Sequence, residues 1–168
     1  MKRLALVGGG HSHVEVIRRF GLDAPPDSEI LLISPARFTP YSGMLPGLIA
    51  GHYDHADCHI DLDALTRAAR VRFVYDVVTD LDPGNRSLVC ASGTHYDYDV
   101  VSLDIGSALT RDLLQPDDRH GVAVKPTEHF LSRWAQLARR AMDESLRIVM
   151  VGAGAAGVEV TLAMQHRL

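Results

Sequence analysis

Two glycine-rich segments, one near each end of the chain, have a spacing of glycines that is typical of nucleotide-binding turns. The first lies within residues 4–13 and the second within residues 148–157, and each follows a short apolar stretch. Glycines there let the backbone turn tightly and approach a pyrophosphate, whose charge is bound by the N–H groups that begin the next helix. The spacing therefore predicts two dinucleotide sites, which suits an enzyme that passes electrons between two cofactors.

The two segments differ at their third glycine. The second segment is complete at Gly152, Gly154 and Gly157, and Glu159 follows in the first turns of its helix. In the first segment His13 takes the position where a glycine lets helix and strand pack closely. Two interpretations of His13 stay open. Its ring is either a structural one, hydrogen-bonded in the core or exposed to solvent, or it lies beside the pyrophosphate. The predicted cofactor-binding residues of the two segments are Gly8, Gly10, His11, Ser12, His13, Gly152, Gly154, Gly157 and Glu159.

The composition is that of an ordinary globular chain. It has 168 residues, of which 46% are hydrophobic, and a mean hydropathy of +0.01. The net charge of -4 argues against a nucleic-acid partner, and no apolar run is long enough to span a bilayer. Cys58 and Cys90 have neither redox nor zinc-type spacing, so we expect free thiols in a reducing cytoplasm.

The elements that must position the first segment form a βαβ unit. We predict a strand at residues 3–7, a helix at 12–21 and a strand at 29–34, with the two strands parallel. The proline and glycine content of residues 35–52 predicts an irregular loop with one short helix. Asp61 is expected to cap a further helix that ends near Arg70.

The remaining elements lead to the second segment. Residues 71–78, 87–90 and 99–103 predict three strands of an antiparallel meander, and Thr127 is expected to cap the longest helix. A strand at residues 147–151 then enters the second glycine turn. The predicted fold class is therefore α/β: a Rossmann-like domain with a parallel sheet and a meander, followed by the first strand and helix of a second Rossmann-like domain.

This order of elements resembles a family of flavoproteins. The stretches that carry the resemblance are residues 7–15, 32–35, 39–51, 96–107 and 152–159. With them the chain resembles the two-dinucleotide-binding-domain FAD/NAD(P) oxidoreductases, in particular the type II NADH:quinone dehydrogenases and the sulfide:quinone reductases. It is most similar to the NADH-dehydrogenase-like flavoproteins that are sometimes fused to selenide, water dikinase.

The resemblance implies FAD in the first domain and NAD(P)H in the second. Hydride would pass from NAD(P)H to FAD, and electrons would pass on to a small-molecule acceptor such as a quinone. No catalytic side chain is identified. The loop that holds Asp104 is where related enzymes bring backbone close to the flavin nucleotide. The further cofactor-binding residues that the resemblance suggests are Ser34, Pro35, Arg37, Ser42, Gly43, Gly106, Ser107 and Lys125.

Two departures from the family pattern bear on the reaction. Ser34 stands where an acidic residue often holds the ribose hydroxyls, so a neutral hydrogen bond or Arg37 would have to replace that contact. The loop at residues 40–51 contains no cysteine, whereas related disulfide reductases carry a cysteine pair there that takes electrons from the flavin. This difference excludes the disulfide-reductase interpretation.

The resemblance also divides the chain. It implies an FAD-binding domain at residues 1–124, a connecting helix at 125–146 and the start of an NAD(P)-binding domain at 147–168. Because a nicotinamide domain needs more than one strand and one helix, we expect an N-terminal part of a longer enzyme that is inactive by itself. The apolar surface of the last segment predicts a homodimer that holds FAD weakly or not at all. The whole enzyme is expected to be cytoplasmic, with peripheral contact to the inner face of the membrane.

Other functions stay open. A nucleotide-binding module without redox turnover is favoured by His13 and Ser34. A sulfide:quinone reductase is a third interpretation, although Cys58 and Cys90 have no spacing that suits it. A metal site could be drawn from His52, His55, Cys58 and His59 with Asp54 and Asp57. The spacing matches no established pattern, so we interpret these residues as a solvated polar loop and predict no metal.

Overall fold

The computed structural model describes residues 1–107 and 121–168, which form two compact units. The first unit contains Met1–Thr39 and Ile60–Gly106, and the second contains Pro40–His59 and Ser107–Leu168. The strands are β1 (Lys2–Val7), β2 (Ser28–Ser34), β3 (Phe38–Pro40), β4 (His59–Asp61), β5 (Arg72–Tyr75), β6 (Val78–Asp82), β7 (Ser87–Cys90), β8 (His95–Asp97) and β9 (Val100–Leu103). The helices are α1 (His11–Leu22), α2 (Leu45–Ala50), α3 (Leu62–Ala68), α4 (Thr127–Arg140) and α5 (Ala155–Arg167).

The first unit is built on a parallel sheet with the strand order β5-β2-β1-β9. Strands β1 and β2 run parallel, with Leu4 beside Ile30 and Val7 beside Ile33, and α1 connects them. The predicted βαβ unit is therefore confirmed. From β1 the sheet extends through β2 to β5 on one side and to β9 on the other. The chain order thus reverses between β1 and β9, and ligands of open parallel sheets bind at such a reversal, beside the carboxyl ends of the strands.

Both faces of this sheet are buried. Leu6 and Leu32 pack against α1 and α3 on one face, whereas Val7 and Ile33 pack against Leu88 of the antiparallel sheet on the other. Because successive side chains of a strand point to opposite faces, a sheet covered on both sides needs apolar residues throughout. This explains the nearly continuous apolar runs of β1 and β2.

The predicted antiparallel meander is partly wrong. The residues predicted as its first strand divide between β5, which pairs in parallel with β2, and β6. The antiparallel sheet has the order β6-β7-β8 and includes the unpredicted strand β8. The last predicted strand is β9, which pairs in parallel with β1 and sets Ser102 beside Leu6. Local sequence marks a strand, but the choice of partner depends on which faces the sheet must bury.

The second unit contains a small helical core formed by α2, α4 and α5. Its buried residues are Leu45, Ile49, Ala50, Phe130, Trp134, Val160, Ala163 and Met164. The predicted apolar face of α4 and the predicted short helix, here α2, are both confirmed. Gly51 ends α2 with a φ of +82°, a left-handed conformation that glycine adopts without steric cost. Among the described residues, no helix is both long and apolar enough to cross a membrane.

Local predictions elsewhere have mixed outcomes. Residues 147–151 do not form a strand, because a strand needs a hydrogen-bonded neighbour and no described residue pairs with them. Thr127 is the first residue of α4, and Pro126 occupies the cap position without a side-chain hydrogen bond. The prediction for Asp61 is confirmed, since its side chain accepts from the N–H groups of Asp63 and Ala64 at the start of α3.

Candidate functional site

The first glycine turn lies at the carboxyl end of β1 and contacts the loop that leaves β9. The Gly8 N–H donates to the Ile33 carbonyl at 2.8 Å, and the Asp104 N–H donates to the Val7 carbonyl at 2.8 Å. Gly8 has a φ of +93°, and a Cβ there would collide with the Asp104 backbone. Only glycine combines this left-handed backbone with so close an approach. The turn is therefore held between β2 and β9.

Backbone N–H groups at the start of α1 converge on one anionic group. Gly10 precedes the helix, which begins at His11, and contributes no capping side chain. The Asp104 carboxylate acts as the cap instead, because its Oδ2 accepts from the N–H of Ser12 at 2.9 Å and of His13 at 3.3 Å. A Cβ on Gly10 would collide with this carboxylate. The turn thus binds a negative group at a helix N-terminus, which is the chemistry that holds a pyrophosphate.

The contact between Asp104 and α1 is a feature that the sequence analysis missed. The sequence places Asp104 in the loop after β9, but only the pairing of β9 with β1 brings it to Ser12, 92 residues earlier in the chain. An acidic residue directly after a predicted strand is the signal that could have found it. Gly106, in the same loop, has a φ of +76°, and Gly106 and Ser107 are exposed.

His13 lies inside the first unit, with only 1% of its surface exposed. Its Nδ1 is 2.7 Å from the Gly8 carbonyl oxygen, and its Nε2 is 2.9 Å from the Ser102 hydroxyl. Because a carbonyl oxygen can only accept, Nδ1 carries a proton, and in the neutral ring Nε2 accepts from the Ser102 hydroxyl. The ring therefore ties the glycine turn to β9, as the core-histidine interpretation expects, while the backbone N–H of His13 faces the anionic group.

The residues after β2 are engaged locally. Ser34 is 3% exposed, and its hydroxyl donates to the Ala36 carbonyl at 3.1 Å. Pro35 and Arg37 are exposed. The Arg37 guanidinium donates to both Asp61 carboxylate oxygens, at 3.1 and 2.7 Å. This hydrogen bonding lowers the pKa of Asp61 from 3.8 to about 2. Arg37 thus positions the residue that caps α3, and it would have to leave Asp61 to reach a ribose.

Besides Ser107, the second unit contains Ser42, Gly43 and Lys125 away from its glycine turn. Ser42 and Gly43 lie in the exposed 3-10 turn Ser42–Met44 before α2. A Cβ on Gly43 would lie 3.3 Å from the Tyr41 ring, so a side chain there would disturb the turn. Lys125 is half-buried before α4, and its ammonium group donates to the Thr127 hydroxyl at 3.3 Å.

The second glycine turn has the backbone geometry of the motif. Gly152 has a φ of +108°, and Gly154 precedes α5 with φ -72° and ψ 169°, close to the φ -68° and ψ 171° of Gly10 before α1. A Cβ on Gly157 would collide with the Gly152 carbonyl oxygen, so α5 packs against its own turn. This close packing is the use of the third glycine. Glu159 is exposed on α5.

Solved oxidoreductase structures are similar to this chain over most of its length. The sulfide:quinone oxidoreductase from the hyperthermophilic bacterium Aquifex aeolicus matches 85% of the chain, with a TM-score of 0.71 and 21% identity. The NAD-dependent persulfide reductase from A. fulgidus matches 98%, with a TM-score of 0.79 and 15% identity. NDH2 from Plasmodium falciparum, solved in complex with NADH, matches 96%, with a TM-score of 0.74 and 17% identity. No protein-family model matches the sequence, and a comparison with curated proteins gives no match.

These matches cover 33%, 32% and 36% of the three solved chains, so the chain spans about a third of the length of each. At such identities the likeness concerns the fold. It confirms the predicted Rossmann-like α/β class. The link to selenide, water dikinase stays a prediction.

Proposed function

We propose that this chain is part of an FAD-dependent NAD(P)H oxidoreductase that delivers electrons to a quinone-like acceptor. Residues 1–124 belong to the FAD-binding domain, residues 125–146 connect the domains, and residues 147–168 begin the NAD(P)-binding domain. When bound, FAD supplies the chemistry of accepting a hydride and releasing two electrons. The chain's own residues bind and orient the nucleotide.

The observation that carries the proposal is the anion-binding start of α1 at the reversal point of the parallel sheet. The N–H groups of Ser12 and His13 already bind a carboxylate there, and Gly8 and Gly10 leave no room for side chains. A pyrophosphate accepts the same hydrogen bonds, and its negative charge is stabilised by the same helix dipole. The residues present therefore fit the diphosphate of a dinucleotide, provided that the Asp104 side chain turns away.

The burial of the two cysteine thiols supports an electron acceptor that is a separate small molecule. Cys58 and Cys90 are both free and both buried. Burial raises the pKa of each thiol, so at neutral pH both remain in the protonated, weakly nucleophilic form. A pair that relays electrons needs an accessible thiolate. These cysteines are thus poor candidates for redox relay or for sulfide oxidation, which favours direct transfer from flavin to a small molecule.

A second function is favoured by one observation. The Asp104 carboxylate lies where a phosphate would bind, as it would in a domain that keeps the fold but has weak affinity for dinucleotides. Such a nucleotide-binding module would have no redox turnover.

The absorbance spectrum of the purified full-length enzyme, recorded under nitrogen before and after NADH addition, separates the two functions. A bound flavin that NADH bleaches supports the oxidoreductase. A bound flavin that NADH does not bleach supports the module, and a protein that neither contains nor takes up FAD contradicts both.

A further inference from the structure

Two histidines and a glutamate of the second unit face one another outside the glycine turns. His55 and His59 flank the 3-10 turn Ala56–Cys58, and Glu128 lies in the first turn of α4. One ligand atom from each residue, a ring nitrogen or a carboxylate oxygen, lies within 4.8 Å of the other two. The sequence analysis weighed the histidines of this loop but could not include Glu128, which is 69 residues from His59.

The three side chains are packed more closely than those of an isolated surface ion pair. The two imidazoles are stacked, with centroids 3.6 Å apart and an angle of 14° between the planes. Both Nε2 atoms face the same carboxylate, at 2.7 Å for His59 and 3.9 Å for His55. The His59 side chain is only 3% exposed, so its direction is fixed by its surroundings. Two nitrogen ligands and one oxygen ligand therefore border a common space.

The hydrogen bond at Nδ1 of the His59 ring determines which group can lie between His59 Nε2 and Glu128. His59 Nδ1 lies 2.6 Å from the His55 carbonyl oxygen, so Nδ1 carries a proton and donates it. In the neutral ring, Nε2 then presents a lone pair to the Glu128 carboxylate, which can only accept. A short contact between these two atoms requires either a proton between them or a metal ion in place of that proton. A backbone carbonyl that holds Nδ1–H is also the usual outer partner of a metal-binding histidine.

We propose that His55, His59 and Glu128 bind a divalent transition-metal ion, with Zn²⁺ as the best fit. Two histidines with one glutamate and an open fourth position form an established zinc ligand set. Ligands about 2.1 Å from a tetrahedral ion are about 3.4 Å apart, between the two distances from the histidines to Glu128. The exposed His55 ring would have to rotate out of its stack on His59 so that both Nε2 lone pairs point at the ion. The ion ties the loop after α2 to the first turn of α4 and leaves one coordination position for water. This proposal is independent of the oxidoreductase function.

Equilibrium dialysis of the purified chain against Zn²⁺ tests the proposal. We expect one Zn²⁺ per chain, and binding that is weaker by about tenfold or more in His55→Ala and in Glu128→Gln. Both side chains are largely exposed, at 65% and 57%, so these variants should fold, which circular dichroism can verify. Zn²⁺ should also raise the Tm of the wild type but not that of His55→Ala, because a ligand that binds only the folded state stabilises it.

Two histidine variants in the same unit serve as matched controls. His129→Ala removes an exposed imidazole beside Glu128, and His52→Ala removes a ring whose centroid is 5.0 Å from that of His166. Both should bind Zn²⁺ as the wild type does. The proposal is overturned if the wild type binds no Zn²⁺, if His55→Ala and Glu128→Gln bind it unchanged, or if either control loses as much affinity as they do.

Discussion

Replacing Asp104 with asparagine is expected to strengthen FAD binding. The Asp104 carboxylate accepts from the N–H groups of Ser12 and His13, which are the donors that we propose for the flavin pyrophosphate. A phosphate bound there must displace the carboxylate or remain beside it, and like charges repel. Asparagine keeps the size of aspartate and an acceptor oxygen but not the charge. Asp104→Asn therefore removes the repulsion and still caps α1.

The size of the effect follows from Coulomb's law. Two unit charges about 4 Å apart interact by about 1 kcal/mol in water and by about 4 kcal/mol at the effective dielectric constant near a protein surface. Asp104 is partly exposed, so the lower part of that range applies. We expect a gain of about 1–2 kcal/mol, which corresponds to binding that is about 5–30-fold tighter. Losing the charge at the start of α1 costs only about 0.3–1 kcal/mol of folding free energy.

Titration of the flavin-free protein with FAD, followed by flavin fluorescence, measures this change in Kd. The gain should shrink as salt concentration rises, because ions screen the repulsion that the substitution removes. Asp80→Asn is the matched control, since it removes one carboxylate from β6 and should leave the Kd unchanged. If a folded Asp104→Asn protein binds FAD no more tightly than the wild type, the Asp104 carboxylate does not compete with the phosphates and the reasoning is refuted.

Three further predictions concern the turn, the thiols and an ion pair. Gly10→Val should abolish flavin retention in a folded full-length enzyme, because its side chain would collide with the Asp104 carboxylate and fill the phosphate position; an unchanged flavin-to-protein ratio would contradict this. In the full-length enzyme the double variant Cys58→Ser/Cys90→Ser should keep NADH-dependent quinone reduction, since both thiols are buried and protonated; loss of turnover with flavin still bound would show that a thiol takes part. Arg37 lowers the pKa of Asp61 to about 2 from 3.8, so the charged form of Asp61 stabilises the fold fully above about pH 4, and this contribution disappears as the pH falls towards 2. Asp61→Asn should therefore lower the urea midpoint at pH 7 and lose this difference from wild type near pH 2, whereas a difference that does not change with pH would contradict the ion-pair explanation.

The sequence by itself determines the elements whose signals are local. The apolar run before the first glycine turn, the capping residue Asp61 and the apolar face of α4 depend on residues a few positions apart. The structure contains β1, α1, α3, α4 and α5 where they were predicted. The parallel pairing of β1 with β2 also follows from sequence, because a helix that connects two neighbouring strands makes them parallel. The resemblance to flavin oxidoreductases rests on the same local stretches.

Only the tertiary structure decides which distant residues meet. The sequence predicts a strand at residues 99–103 but not its place beside β1, and that place puts Asp104 at the start of α1. The same pairing brings Ser102 to His13 as a hydrogen-bond partner. The histidine that replaces the third glycine of the motif therefore makes a contact in the core. His59 and Glu128 likewise meet across 69 residues of chain. The physical reason is that strand and helix tendencies arise from neighbouring residues, whereas strand partners and side-chain clusters are selected by the burial of faces that the whole fold creates.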